Sequence, residues 1–362
     1  MRISFVTIEE TKVSPSGTRA VQVALQKALE DRGHVVDVFS YRETQTGPLA
    51  LVPPQAIATA YAEHMRQAWA KDRPDVVHIC LPGRVGSSAL FAAKSLGILV
   101  TAAFHHVHIY AAPNDRARVL QTAMSFYKHC DVVIAEHEGS LPVLNEHAVP
   151  CTVIYGGVNT NNFDPLRRSD SLRASWGVSE NAVVLLFVGR LIPTKDPQGF
   201  AAVCNYAKSL HPSVRAVVVG DGPEMESLKA SLPLATFTGQ LTDEALYRAY
   251  ASSDILVMPS PEEPWGNVAL EAAASGLAVA GISGGVIHEI LAPRQACSMP
   301  VPKDRDELAK AVVRLIAEPA QRKEIAKRAR EVAQGMSWYA TASEHDALWH
   351  ACSIARPNKE TT

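Results

Sequence analysis

The stretch Ile255–Gly276, ILVMPSPEEPWGNVALEAAASG, contains one complete strand–turn–helix unit. Four apolar residues open it and are typical of a buried strand, while the Ala-rich run Asn267–Ser275 favours a helix. A Pro-Trp-Gly turn joins the two, and two carboxylates, Glu263 and Glu271, stand eight positions apart around it. Units of this kind, repeated along a chain, build α/β proteins with parallel sheets.

The same alternation of apolar strand and helix runs through the rest of the chain. Val- and Ile-rich runs without polar alternation indicate parallel strands that are buried on both faces. We therefore predict two doubly wound, Rossmann-like α/β domains, covering residues 1–165 and 166–337, with a polar, turn-rich break between them. The predicted strands are Ile3–Thr7, Val35–Phe39, Val76–Ile79, Leu99–Ala103, Val132–Ala135, Val153–Tyr155, Val183–Val188, Ala216–Val219, Ile255–Met258 and Ala278–Gly281.

Composition narrows the classes of protein and partner. The chain has 362 residues, 47% of them hydrophobic and 20% charged, as in ordinary globular proteins. A formal net charge of −2 gives no general attraction to nucleic acid or to an anionic membrane. The six cysteines are scattered without a C-x-x-C pair. The apolar run at the N-terminus is too short for a signal peptide, and acidic residues follow it. We expect a cytoplasmic protein with reduced thiols and no transmembrane segment.

The turn around the two glutamates predicts a site for a nucleotide sugar. The first backbone N–H groups of a helix point outward and carry partial positive charge, so they bind anions. Glu271 lies one turn into the helix on the same face as Asn267, and Glu263 lies in the turn before it. Carboxylates repel the anion itself, so we expect them to bind hydroxyls beside it.

A second loop carries two cations. Gly189-Arg190-Leu191-Ile192-Pro193-Thr194-Lys195 follows an apolar strand, and ligands of open parallel sheets bind beyond the carboxyl ends of strands. Taken alone, Arg190 and Lys195 are most simply exposed charges. Together with the two glutamates, they favour a diphosphate site. Three glycine-rich turns give weaker signals of the same kind, at Gly17, at Gly220–Pro223 and at Gly284–Gly285.

The segment Phe104-His105-His106-Val107-His108 follows another predicted strand. Its three histidines lack a neighbouring carboxylate or cysteine at a spacing that would complete a zinc shell, so we predict no metal site. An imidazole at the carboxyl end of a buried strand can instead bond a sugar or transfer a proton. We expect two of the three histidines to be structural.

Taken together, these motifs resemble the retaining glycosyltransferases of family four, which have the GT-B architecture. The chain segments EPWGNVALEAAASG and FVGRLIPTKD carry the resemblance most specifically, and MSWYATASEHDALW resembles the closing helix of that fold. The resemblance covers nearly the whole chain and extends to relatives such as glycogen synthase and phosphatidylinositol mannosyltransferase. It implies two domains facing across a cleft, with helix 338–355 crossing back to the N-terminal domain.

The resemblance also implies roles for individual residues. Arg190 and Lys195 would bind the donor diphosphate and stabilise the leaving nucleotide, Glu263 would contact the donor sugar, and His105 would lie near the anomeric carbon. These four are the implied catalytic residues, and no metal or other cofactor is implied. The remaining implied donor-binding residues, among which Glu271 would contact the ribose, are Gly17, Gly189, Trp265, Gly266, Asn267, Val268 and Glu271.

The function implied is hexosyl transfer from a UDP- or GDP-sugar to an acceptor on the N-terminal domain. The chain departs from the family pattern mainly on that side, where Gly156-Gly157-Val158-Asn159 replaces the common Asn-Gly-Val-Asp and the His-rich segment is denser. We expect His106, His108 and Tyr110 to face the acceptor, and we favour a small-molecule acceptor.

Other hypotheses stay open at this point. A lipid acceptor at a membrane surface would bring peripheral membrane contact. A GT-B epimerase or phosphorylase, or an inactive binding module, would use a similar site. The sequence does not distinguish a monomer from a homodimer, and it gives no sign of a nucleic-acid partner.

Overall fold

A computed structural model describes residues 1–7, 17–40, 57–106, 111–179, 182–282, 284–298 and 304–355. The chain divides into two compact units. The first comprises Met1–Gly156 together with Trp338–Thr362, and the second comprises Gly157–Ser337. Residues 157–165, which the sequence analysis assigned to the first domain, therefore have their contacts in the second unit.

Each unit is built on one parallel sheet. The first has six strands in the order β2-β1-β3-β4-β5-β6, and the second has five in the order β11-β10-β7-β8-β9. In both sheets the chain first adds strands on one side of the starting strand and then on the other, as in doubly wound folds. The strands are β1 Arg2–Thr7, β2 Val35–Ser40, β3 Val76–Ile79, β4 Leu99–Ala103, β5 Val132–Ala135, β6 Cys151–Val153, β7 Val184–Val188, β8 Arg215–Val219, β9 Thr236–Gly239, β10 Ile255–Met258 and β11 Ala278–Gly281.

Helices connect the strands and bury their apolar faces on the sheets. Short 3-10 turns and one π-helical segment, Val286–Leu291, complete the described structure. The α-helices are α1 Gly17–Asp31, α2 Ile57–Lys71, α3 Arg84–Ser95, α4 Arg116–Tyr127, α5 Leu141–Glu146, α6 Asp170–Ser175, α7 Pro197–Leu210, α8 Met225–Ser231, α9 Asp243–Ala251, α10 Asn267–Ala274, α11 Arg305–Ala317, α12 Pro319–Gln334 and α13 Trp338–Ala355.

The predicted fold class is confirmed, and most predicted strands agree with the structure to within a residue. One prediction was displaced: β6 is Cys151–Val153, whereas the sequence placed a strand at Val153–Tyr155. One strand was missed, β9, because its sequence Thr-Phe-Thr-Gly contains a single large apolar residue. It lies at the edge of the second sheet and is only partly buried, so it needs no apolar run.

Helix α13 packs against the first unit, as the resemblance implies. Trp349 is fully buried there with Phe5 and Leu29, and its indole Nε1 donates a hydrogen bond to Thr101 Oγ1 at 3.2 Å. The last described helix of the chain thus completes the core of the unit that contains the first strand. No helix among the described ranges has both the length and the apolarity needed to cross a bilayer.

Trp349→Ala should lower the free energy of unfolding of the first unit by about 3–5 kcal/mol, because it leaves a large cavity and removes one of the hydrogen bonds of the Thr101 hydroxyl. Denaturant titration followed by circular dichroism measures the change. Ile354→Ala on the same helix is the control, since Ile354 is 85% exposed and its truncation should cost less than about 0.5 kcal/mol. Equal effects of the two substitutions would contradict the packing of α13.

Candidate active site

Four loops of the second unit follow neighbouring strands at the carboxyl edge of its sheet. They contain residues 189–196 after β7, 220–224 after β8, 259–266 after β10 and, of the described residues after β11, Ile282, Gly284 and Gly285. In a parallel sheet these ends share one edge, where ligands of doubly wound folds bind. Two of the four loops carry the charged residues that the sequence analysis selected.

Lys195 and Glu263 form an ion pair between two of these loops. The Lys195 ammonium donates to Glu263 Oε2, and both side chains are largely buried, with 20% and 9% of their surface exposed. Ser260 Oγ also donates to the carbonyl oxygen of Lys195 at 3.2 Å. The structure thus brings together a cation and a carboxylate that lie 68 residues apart in sequence.

The turn that carries Glu263 is held by its neighbours. Gly266 has φ +93°, which favours glycine, and a Cβ there would lie 3.4 Å from Glu263 Cγ. Gly285 N donates to Pro264 O at 3.0 Å, and Val286 N donates to Trp265 O at 2.9 Å. With the Trp265 side chain buried as well, the turn has little freedom to move.

Helix α10 begins directly after this turn, with Gly266 as its N-cap. Asn267 and Val268 are its first residues, and amides at these positions have no acceptor within a helix. Asn267 Oδ1 is buried and accepts no hydrogen bond from another described residue. The helix start therefore offers backbone donors and a side-chain acceptor next to the Lys195–Glu263 pair.

Glu271 accepts a hydrogen bond from Tyr250 Oη at 2.6 Å. Burial raises the pKa of Glu271 above its ordinary value, although the Tyr250 bond opposes this rise. Burial also raises the pKa of Tyr250, and the neighbouring carboxylate adds to the effect. Tyr250 on α9 therefore orients the second glutamate, a contact that no sequence signal indicated.

The loop of Arg190 rests on the glycine turn that follows β8. Leu191 N donates to Asp221 O at 2.9 Å. A Cβ on Gly220, which has φ +138°, would lie 1.9 Å from Gly189 O, and one on Gly222 would lie 2.5 Å from Leu191 O. The two backbones touch, so the Gly220–Pro223 sequence is explained by packing. Arg190 itself is exposed.

In the first unit, His105 follows β4 at the carboxyl edge of the sheet. Its backbone N donates to Tyr127 Oη at 3.3 Å, and its ring bonds the backbone carbonyl of Cys80. Burial lowers the pKa of His105 to about 4, so the ring is neutral at pH 7. A neutral imidazole with one N–H engaged keeps its other nitrogen as an acceptor.

His106 points into its own unit. Its Nε2 lies 3.1 Å from His137 Nε2 and 2.9 Å from Ser140 Oγ, and the two imidazoles stack with centroids 5.2 Å apart. Phe104 packs against the edge of the His106 ring at 4.7 Å. These contacts fit a structural imidazole, which the sequence analysis expected of two of the three histidines.

A cavity of about 50 Å³ lies beside His105. Residues from the carboxyl ends of β3, β4 and β5 line it, together with residues of α1 and α13. Its polar lining consists of Gln22, His78, Cys80, His105, Glu136, Thr341 and His345.

Two family profiles match the chain in succession. The profile described as Glycosyltransferase Family 4 matches residues 15–162, and the one described as Glycosyl transferases group 1 matches residues 168–332. Two GDP-mannose-dependent alpha-mannosyltransferases are similar to it, from Mycolicibacterium smegmatis (32% identity over 68% of this chain) and Mycobacterium tuberculosis (30% over 75%). The chain belongs to glycosyltransferase family 4.

The alignments cover 66% and 71% of those two relatives, so the chain spans about two thirds of their length. Among solved structures, the sucrose-phosphate synthase of Thermosynechococcus elongatus superimposes on this glycosyltransferase with a TM-score of 0.81. The match covers 98% of this chain and all of that one at 22% identity, which identifies the GT-B fold.

The structure of this glycosyltransferase brings some of the predicted donor residues into contact and leaves others only in the same loop. It joins Lys195 to Glu263, and it sets Trp265, Gly266, Asn267 and Val268 in the turn and helix start beside them. Gly189 and Arg190 lie in the loop that leads to Lys195. Their roles toward a donor stay predictions.

In the first unit, Gly17 begins α1. His108 and Tyr110 lie outside the described residues. Sequence reasoning did not select Gln22, Glu136 or His345. They come from α1, from the end of β5 and from α13, and no local motif marks them. Among the described residues, no group of three or more His, Cys, Asp or Glu side chains could hold a metal ion.

Gly220→Ala should destabilise the second unit of this glycosyltransferase by more than about 3 kcal/mol, because the new Cβ collides with the carbonyl of Gly189. Gly239→Ala is the control, since its Cβ would meet nothing within 4 Å and only its φ of +69° opposes the change, at about 1 kcal/mol. Thermal denaturation of both variants measures the difference. Similar losses would show that the two loops are not in contact.

The first unit should lose stability as the pH falls from 6.5 toward 4. Burial lowers the pKa of His78 to about 3 and of His345 to about 4, so the unfolded chain takes up these protons at higher pH than the folded one. Their contribution is complete above pH 6.5 and is lost as the pH falls toward the folded pKa values. The thermal midpoint measured against pH should show this fall.

His345→Gln removes one of the two titrating side chains, and the glutamine amide can still donate to Thr341 O. The slope of stability against pH should therefore decrease. His129→Gln, at an exposed histidine, should leave the slope unchanged. A slope that is the same in all three proteins would contradict this account.

Proposed function

We propose that this family-4 glycosyltransferase moves a sugar from a UDP- or GDP-sugar to a small-molecule acceptor, with retention at the anomeric carbon and without a catalytic metal. The observation that carries the proposal is the Lys195–Glu263 pair beside the start of α10. It sets a buried cation, a carboxylate and helix amides at the ligand-binding edge of a parallel sheet.

In this proposal the donor diphosphate lies between Arg190, Lys195 and the first amides of α10. Each supplies positive charge where negative charge develops as the bond to the leaving nucleotide breaks. Lys195 is already oriented by Glu263, so little reorganisation is needed when the donor binds. These fixed charges can do the work that a divalent cation does in other transferases.

The two glutamates have different tasks because their surroundings differ. Glu263 is paired with a lysine and lies in the turn, where it can accept hydrogen bonds from the donor sugar. Glu271 is one turn into α10 and is oriented by Tyr250, which suits a fixed acceptor for the ribose hydroxyls. Neither is proposed as a general acid or base.

His105 supplies no positive charge near neutral pH, since burial lowers its pKa to about 4. In the proposed reaction it accepts a hydrogen bond near the anomeric carbon, while the departing phosphate oxygen assists attack from the same face. This assignment accounts for retention without a covalent intermediate on the protein. Its support is the fixed, neutral ring and its place at the end of β4.

The first donor to test is GDP-mannose. Two relatives at 30% and 32% identity carry the name GDP-mannose-dependent alpha-mannosyltransferase. A screen of GDP- and UDP-sugars by thermal shift identifies the donor, because a ligand that binds only the folded protein raises the melting temperature. If no nucleotide sugar shifts the midpoint, the proposed donor site is wrong.

Arg190→Ala and Glu263→Ala should each reduce transfer from that donor by about 10²–10³-fold, since each removes a group that acts on charge or on sugar orientation in the transition state. Release of free nucleotide reports the rate, and circular dichroism checks the fold. Glu262→Ala is the matched control, because Glu262 is the exposed neighbour of Glu263. Normal turnover by either site variant would sink the assignment.

A further inference from the structure

The first unit contains polar groups that face the cavity beside His105 and that the donor chemistry does not use. Glu136 follows β5, is partly buried and lines the cavity. Gln22 on α1 is buried and lines it from another side. Neither side chain makes a hydrogen bond or an ion pair with another described residue. Buried polar groups are normally bonded, so both are candidates to bind a ligand.

Three other polar side chains around the cavity already make hydrogen bonds within the protein. His78 Nδ1 is bonded to Thr101 Oγ1 at 3.0 Å, and His345 Nδ1 is bonded to Thr341 O at 2.8 Å. Thr341 Oγ1 donates to Tyr155 O at 3.0 Å. Besides the second ring nitrogens of His78 and His345, the groups left to meet a ligand are the Glu136 carboxyl, the Gln22 amide and the second nitrogen of His105.

The side chains of Glu136, Gln22 and His105 can all form hydrogen bonds with hydroxyl groups. A carboxylate and an imidazole nitrogen accept hydrogen bonds, whereas an amide both donates and accepts. A hydroxyl can satisfy either side, so a fragment with adjacent hydroxyls can pair with all three. A void of about 50 Å³ holds a few waters or one hydroxyl-bearing arm of a ligand, since one water needs roughly 10–15 Å³.

The same groups oppose an anion. Among the described residues that line the cavity there is no lysine or arginine, and the histidines are neutral because burial lowers their pKa to about 3 or 4. A phosphate placed here would meet a carboxylate in a poorly solvated space, where like charges repel strongly.

We propose that the acceptor of this glycosyltransferase is a polyol whose hydroxyls enter this cavity and bond Glu136, and that a phosphate at that end of the acceptor is rejected. The inference rests on the proposed function, because it concerns the acceptor of the same reaction. It assigns Glu136 as a residue that determines acceptor specificity, and Gln22 and His105 as further residues that bond the hydroxyls of the acceptor.

The test compares neutral polyols with their phosphorylated counterparts. The full chain and the donor found by thermal shift are incubated with myo-inositol or inositol 3-phosphate, glycerol or glycerol 3-phosphate, and mannose or mannose 6-phosphate. The neutral member of at least one pair should exceed its partner tenfold or more in kcat/KM. If no pair supports turnover, equilibrium binding of the same compounds to the nucleotide-saturated protein decides. Preference for phosphorylated members, or binding of neither kind, overturns the proposal.

Glu136→Gln should raise the acceptor KM at least fivefold and leave the donor KM unchanged, and Glu136→Ala should raise it further. Glu138→Gln is the matched control, because Glu138 lies two residues away and is exposed. If donor binding and nucleotide release are normal but Glu136 variants keep the wild-type acceptor KM, the specificity assignment fails while the proposed function stands. Absence of any donor binding points instead to failure of the proposed function.

The pH dependence of the acceptor KM gives an independent readout. Burial raises the pKa of Glu136 to about 7, and hydroxyl donors favour its ionised form, so acceptor affinity should fall as the pH drops below 7. His78, His105 and His345, which face the same cavity from β3, from the end of β4 and from α13, stay neutral across this range. Glu136→Gln should flatten the profile. If acceptor affinity still falls below pH 7 in this variant, another group titrates, and the role of Glu136 is contradicted.

Discussion

The parallel direction of every strand in both sheets is the constraint on which the described site depends. Because all carboxyl ends of one sheet face the same edge, loops that are distant in sequence become neighbours there. The loop after β7 and the loop after β10 meet in this way and join Lys195 to Glu263. If β10 ran antiparallel to β7, the loop after β10 would lie at the opposite edge of the sheet and could not reach Lys195.

Close backbone contact turns this arrangement into a rigid one. Gly220 and Gly222 lack the Cβ atoms that would separate the loops after β7 and β8. Gly266 and Gly284 do the same around Glu263, where the nearest side-chain atoms would lie 3.3–3.4 Å from an added Cβ. Rigid loops hold charged groups in position before a ligand arrives, and this reduces the free-energy cost of ordering them at the moment of reaction.

The polarity of the candidate groups differs between the two units. The second unit presents Arg190, Lys195 and helix amides, which suit phosphate oxygens. The first presents neutral imidazoles and a carboxyl whose pKa burial raises to about 7, which suits hydroxyls. This division fits the proposed reaction, in which the donor carries the diphosphate and the acceptor supplies the attacking hydroxyl oxygen.

The sequence by itself determined the parallel α/β fold and selected the two charged loops of the candidate site, since apolar strands, helix starts and glycine turns are signals carried by short stretches of sequence. Glu263 and Lys195 could be found because each lies in such a motif. Tyr250 beside Glu271, and Glu136, Gln22 and His345 around the cavity, were decided only by the tertiary structure. These residues stand on different strands and helices, and their spacing in sequence carries no period. The packing of α1 and α13 against the first sheet brings Glu136, Gln22 and His345 together and removes them from water, and this burial shifts the pKa values of Glu136 and His345.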